Sequence, residues 1–101
     1  MNSALFKGYE ELMKEVTEFL APYLSHNFNT QRITVAAIFS SFISCCEGNV
    51  ELLTSLINSI LVRLGDTDFY VKILVLRGLG NVADCGEEEV FFFFFFFFLK
   101  K

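Results

Sequence analysis

Gly78-Leu79-Gly80-Asn81-Val82-Ala83 satisfies the G-x-G-x-x-A spacing with which a backbone turn approaches a pyrophosphate at a helix N-terminus. That chemistry needs a buried strand before the turn, for which Lys72 to Leu76 is apolar enough. It also needs a helix of useful length after it and an acid about 20 residues on. Gly86 interrupts after a few residues and low complexity follows. Helix packing is the better reading: Gly78 and Gly80 let a neighbouring helix approach closely, at a cost of about 1 kcal/mol each relative to Ala. His26 is the sole histidine, so any Ser/His/Asp or Cys/His arrangement would have to pass through it. It stands in a polar break and reads as a solvated loop residue. Zinc would need Cys45, Cys46, Cys85 and His26 to converge, yet neighbouring helical cysteines point about 100° apart. The cysteines read as small buried hydrophobes. No catalytic, cofactor-binding or metal-binding residue emerges, and a non-enzymatic protein without a cofactor is expected.

At 101 residues, 53% of them apolar, the chain is one globular domain at most, of a size that hides only about two thirds of its unfolded surface. Twelve acidic side chains oppose eight basic ones with no cluster of Lys or Arg. Counterion release therefore has little to work with, which argues against nucleic acid and anionic membrane as partners. Three cysteines form neither a paired framework nor a metal spacing, and Lys7, Glu10 and Glu11 interrupt what would be a signal-peptide core. An intracellular, cytoplasmic protein is the expectation. Val90 to Leu99 is wholly apolar and Phe91 to Phe98 are identical. As a helix this block spans about 15 Å, half of a bilayer core of about 30 Å, too short for a transmembrane anchor. Eight equal side chains also make poor material for a specific core. The block reads as translated low-complexity sequence, which would make the residues before it a truncated piece of a longer array; a truncated product with no independent function is the alternative to an interaction module. Glu87-Glu88-Glu89 reads as a solvated linker.

The elements that position these residues are helices. From Leu5 to Leu24 apolar side chains recur at Leu5, Tyr9, Leu12, Val16, Leu20 and Tyr23, with Glu10, Lys14 and Glu18 paired four apart on the other face. Pro22 should end or kink this helix. Thr30 is a fair N-cap for a second helix, Gln31 to about Ser44, burying Ile33, Ala36, Ala37, Ile38, Phe39, Phe42 and Ile43. Cys45-Cys46-Glu47-Gly48 ends it. Asn49 caps a third helix, with Leu53, Leu56, Ile57, Ile60, Leu61 and Leu64 on its apolar face and Gly65 at its stop. Asp68 caps a fourth, nearly buried helix whose wet stripe carries Tyr70, Arg77, Asn81 and Asp84, with Leu79 buried against the third helix and Gly86 as the C-terminal cap.

Sliding the chain by 40 positions lays Gly8 on Gly48, Glu11 on Glu51, Leu12 on Leu52 and Leu24 on Leu64, then Ile33 on Ile73, Val35 on Val75, Cys45 on Cys85 and Glu47 on Glu87. Basic Arg32 meets basic Lys72. A helix pair recurring at about 40 residues has the period of HEAT or armadillo units, which bury one another's apolar faces. The fold class is therefore all-α: an α-solenoid of two HEAT-like hairpins in residues 1–89 (about 5–46 and 49–86) followed by a Phe-rich tail, 90–101.

Asp66-Thr67-Asp68-Phe69-Tyr70-Val71-Lys72 resembles the HEAT pattern of an acidic inter-helix turn followed by Val and a basic residue. Leu76-Arg77-Gly78-Leu79-Gly80-Asn81-Val82-Ala83 resembles, more specifically, the LRGLGN segment of the maestro heat-like repeat family. The resemblance covers roughly residues 30 to 90. It implies a ladder of turn acids and basic residues running from unit to unit, which assigns Asp66 or Asp68 and Lys72 to that task, and it implies a structural, partner-binding role. The first unit departs from the pattern, with His26 and Phe28 where the acids should be. A protein partner along one face of the helices is expected, with self-association through the Phe tract.

Overall fold

The computed structural model describes residues 3–46 and 48–84, and over these the chain is all-α: four helices in two hairpins form a short α-solenoid. Helix α1 (Ser3–Leu20) runs through a 3-10 turn (Ala21–Ser25) towards α2 (Asn29–Ile43). In the second hairpin α3 (Val50–Leu61) runs through a 3-10 turn (Val62–Gly65) towards α4 (Phe69–Asp84). The 40-residue period thus extends to the tightened turn at the end of each first helix. In the first hairpin Pro22 sits at the start of that turn, where its missing N–H costs nothing.

Local signals account for most of the boundaries. The Asn49 side chain accepts from the Leu52 N–H at 3.1 Å, and the Asp68 carboxylate accepts from the Tyr70 N–H at 2.8 Å, so α3 and α4 are capped as their sequences suggest. Gly48 takes a positive φ of 81°, which a Cβ would resist, and the chain turns there into α3. Helix α2 starts earlier than its Thr30 cap predicts. It begins at Asn29, Phe28 stands at the cap position without a side-chain bond, and the Asn29 amide is engaged elsewhere, on Asp68.

The core lies between the hairpins. Phe39 and Ile43 of α2, Leu53, Leu56, Ile57 and Ile60 of α3, and Val71, Val75 and Val82 of α4 are fully buried, with α2 and α4 the most extensively packed pair. Helix α1 corrects its predicted face. It buries Met13 and Thr17, while Tyr9 is 53% and Leu12 58% exposed. Thr17 is tolerated inside because its hydroxyl donates to the Met13 carbonyl at 2.8 Å. Helix α4 is likewise only half buried: Val71, Val75, Gly78 and Val82 point inward, and Phe69, Tyr70, Leu76 and Arg77 point to solvent. Its outer side has no neighbour among the described residues. The Leu5 side chain, Cys85, Gly86, Glu87 to Glu89 and the Phe-rich block 90–101 lie outside the described residues. Among the described helices, none is long and apolar enough to cross a membrane.

Candidate functional site

Two polar clusters join the hairpins. At the turn end, Arg32 on the buried side of α2 donates from Nε and Nη2 to the two Asp66 oxygens at 2.8 and 3.0 Å. Its Nη1 donates to the carbonyls of His26 and Asn27 at 2.8 and 3.1 Å, so the guanidinium clasps its own inter-helix turn and the next one together. Planar forks suit this task, since Arg offers donors in two directions at once. Arg63 adds a bond from Nη1 to the Leu24 carbonyl at 2.9 Å and lies 3.6 Å from Asp66. Beside it the Asn29 amide donates to Asp68 at 2.7 Å.

These contacts set the ionisation. Burial alone would raise the Asp66 carboxyl, but the Arg32 fork, the Asp68 N–H at 2.8 Å and the Arg32 and Arg63 charges hold it below its ordinary value of 3.8. Bonds from Asn29 and from the Tyr70 N–H lower Asp68 similarly. The Asp66 bond in turn raises Arg32 above its ordinary value.

The second cluster is midway along α2 and α4. The Ser40 hydroxyl donates to the Leu74 carbonyl at 2.6 Å, and the Asn81 amide donates to the Ser40 carbonyl at 2.9 Å. Between them Gly78 faces α2, where a Cβ would lie 2.7 Å from Ser40 Oγ and 2.9 Å from Ile60 Cδ1. A side chain there would separate the helices.

Several predicted positions need correction. The inter-unit pair is Arg32 with Asp66; Lys72, which stands 40 positions after Arg32, makes no ion pair among the described residues. Asp68 serves as a cap and as a partner of Asn29. Gly80 is exposed and a Cβ on it would meet nothing within 4 Å, so it permits no close approach. Asn81 belongs to the helix interface, not to a wet stripe, because its amide reaches an α2 carbonyl. Arg77 is exposed, and Leu79 sits at the margin of the core, half buried. His26 is no free loop residue. Its ring lies 6.0 Å from Tyr23 and 5.3 Å from Phe28, and its Nδ1 accepts from the Phe28 N–H at 3.1 Å. Cys45 is exposed and Cys46 buried. Among the described residues no group of three His, Cys, Asp or Glu could hold a metal ion. The glycines at 78 and 80 stand within α4 and Lys72 to Leu76 is helical, so no strand and turn precede them.

Sequence inspection missed Arg32, Ser40 and Arg63 as interface residues. For Arg32 a signal existed, its alignment with Lys72; for Ser40 there was none beyond its place one turn from Ala36 and Ile43.

A groove of about 420 Å³ separates α1 from α3. Glu10, Glu11 and Glu18 line it from α1 and Glu51 from α3, with Lys14 between them. The predicted ladder of Glu10, Lys14 and Glu18 along α1 forms no ion pair; all three open into the groove instead.

No family model matches the chain, and no solved structure matches it significantly. The Maestro heat-like repeat-containing protein family member 1 of Dictyostelium discoideum is 30% identical to it over 87 residues, or 86% of the chain. The chain spans about 5% of the length of that curated relative, to which it is similar as a HEAT-like helical segment.

Proposed function

We propose that the chain is a member of the maestro heat-like repeat family and acts as a non-enzymatic interaction module, holding a protein partner along the groove between α1 and α3. The observation that carries this is the double clasp between the hairpins. Arg32 with Asp66 at the turns, and Ser40 with Leu74 and Asn81 along the helices, fix one hairpin against the other. The groove walls are therefore preformed, and a partner need not order them on binding, which saves affinity. The likeness to a heat-like repeat protein supports the same role. We further place self-association in the Phe tract, Phe91 to Phe98, whose β-propensity and lack of internal charge suit self-pairing.

The test compares the intact chain with a Glu11→Gln, Glu18→Gln, Glu51→Gln variant in affinity capture. Proteins retained by the first and lost by the second, with unchanged helical circular dichroism, support the groove as the site. Identical capture by both sinks it. Sedimentation of the chain with and without residues 90–101 addresses the tract separately: removal should lower the mass without loss of helix content.

A further inference from the structure

The two inter-helix turns border a cleft of about 280 Å³, with Arg32, Arg63 and Asp66 as its charged lining and Ser25, His26 and Thr67 among its neutral polar lining. The acceptors in this cluster are taken. Asp66 Oδ1 accepts from Arg32 Nη2 at 3.0 Å and from the Asp68 N–H at 2.8 Å, and Oδ2 accepts from Arg32 Nε at 2.8 Å. The carbonyls of His26 and Asn27 accept from Arg32 Nη1. Donors remain. Arg63 bonds only through Nη1, to the Leu24 carbonyl, and its Nε is buried without a hydrogen-bond partner among the described residues. The Ser25 and Thr67 hydroxyls likewise make no hydrogen bond among the described residues. Because His26 Nδ1 accepts from the Phe28 N–H, the proton of the neutral ring is on Nε2, a further donor. A buried donor left unmet is costly and points to a group outside the chain that completes it.

The neighbouring guanidinium shows what suits these donors. Arg32 presents Nε and Nη2 to the two oxygens of a carboxylate, and on Arg63 the same edge, Nε with Nη2, has no acceptor among the described residues. Such a fork matches an oxyanion. Two guanidinium groups against one carboxylate leave the lining one positive charge, on a chain whose formal net charge is −4. Asp68 is turned instead to Asn29 and the first turn of α4. Two hydroxyls and an imidazole N–H beside the fork outnumber the oxygens of a carboxylate and suit the three free oxygens of a phosphoryl group. We propose that the turn-end cleft binds phosphate, free or as a phosphoryl group, on the Nε and Nη2 edge of Arg63, with Ser25, His26 and Thr67 as further donors. The cleft shares no lining residue with the groove between α1 and α3, so it stands or falls independently of that site.

Equilibrium dialysis of radiolabelled inorganic phosphate against the full chain, at fixed ionic strength, should show saturable uptake. Arg63→Lys keeps the charge and a donor for the Leu24 carbonyl but loses the fork, and should weaken binding at least about tenfold. Thr67→Ala removes only an exposed turn hydroxyl, so it leaves circular dichroism unchanged and should weaken binding about threefold or more. Arg77→Lys, at an exposed position on α4, should bind as the parent does. Acetate should compete poorly. Competition by O-phosphoserine as strong as that by unlabelled phosphate assigns the cleft to a phosphoryl group carried on a larger molecule, and failure to compete assigns it to the free ion. Uptake that does not saturate, or that a folded Arg63→Lys or Thr67→Ala chain retains in full, would overturn the site.

Discussion

The interface between the hairpins and the outer face of α1 invert the usual division of inside and outside. Where the hairpins meet, a serine, an arginine fork and an aspartate are buried and an asparagine amide is half-buried, with the bonds between them formed. On α1, tyrosine, leucine and phenylalanine lie in water. In a stacked-hairpin fold a helix has two sides on which a neighbour can pack, and apolar periodicity identifies the helix without saying which side is filled. Arg32, Asp66 and Ser40 survive at the filled side because each finds a partner in the adjacent unit, and a paired buried group costs little.

The contrast breaks most readily by truncation. Phe39→Ala should destabilise the chain by about 3 to 5 kcal/mol through lost transfer energy and a cavity, whereas Phe19→Ala, at a site 70% exposed, should stay within about 0.5 kcal/mol. Urea unfolding of both variants decides it, and comparable losses would mean that α1 packs differently. A second pair sharpens the same point within one helix. Gly78→Ala forces a Cβ to 2.7 Å from Ser40 Oγ and should cost about 1 to 3 kcal/mol by overpacking. Gly80→Ala meets nothing and should stabilise α4 by up to about 1 kcal/mol. Opposite signs in the two melts are expected; equal signs would place α4 at another rotation.

Much of this was legible in the residues. Asn49 and Asp68 name their own helix starts, Pro22 marks where α1 tightens, and the 40-residue period gives the hairpin architecture. The rotation of each helix was not. Tyr9, Leu12 and Val16 form a cleaner apolar row than Met13, Thr17 and Leu20, so periodicity alone selects the outer face. Arg32 and Ser40 were hidden for a related reason: their burial depends on Asp66 and Leu74, each 34 residues away, and no local pattern announces such a partner. Gly78 and Gly80 look alike in sequence, and only the position of Ser40 separates them.

A smaller effect reads the turn-end cluster through pH. Asp66 and Asp68 titrate below their ordinary 3.8 in the folded chain. Between the folded and unfolded values the unfolded chain binds more protons, so stability rises with pH there. The contribution is fully present above 3.8 and is lost as pH falls through the depressed values. Arg32, raised still further above the accessible range, contributes throughout it. Urea midpoints taken downward from pH 5 should fall, and Asp66→Asn should start lower and fall less. A wild-type midpoint indifferent to acid would remove the carboxylate from the clasp.

The most direct measurement is the melting temperature of two exchanges of opposite polarity, Leu12→Ser and Ser40→Val, followed by circular dichroism at dilutions where melting no longer depends on concentration. Leu12→Ser removes an apolar side chain that is 58% exposed and should leave the melting temperature unmoved. Ser40→Val removes the bond to Leu74 and crowds Gly78, so a loss of about 1 to 3 kcal/mol, or roughly 5 °C or more, is expected. A lower melting temperature for Leu12→Ser together with an unchanged or higher one for Ser40→Val would contradict the placement of the polar interface inside and the apolar row outside.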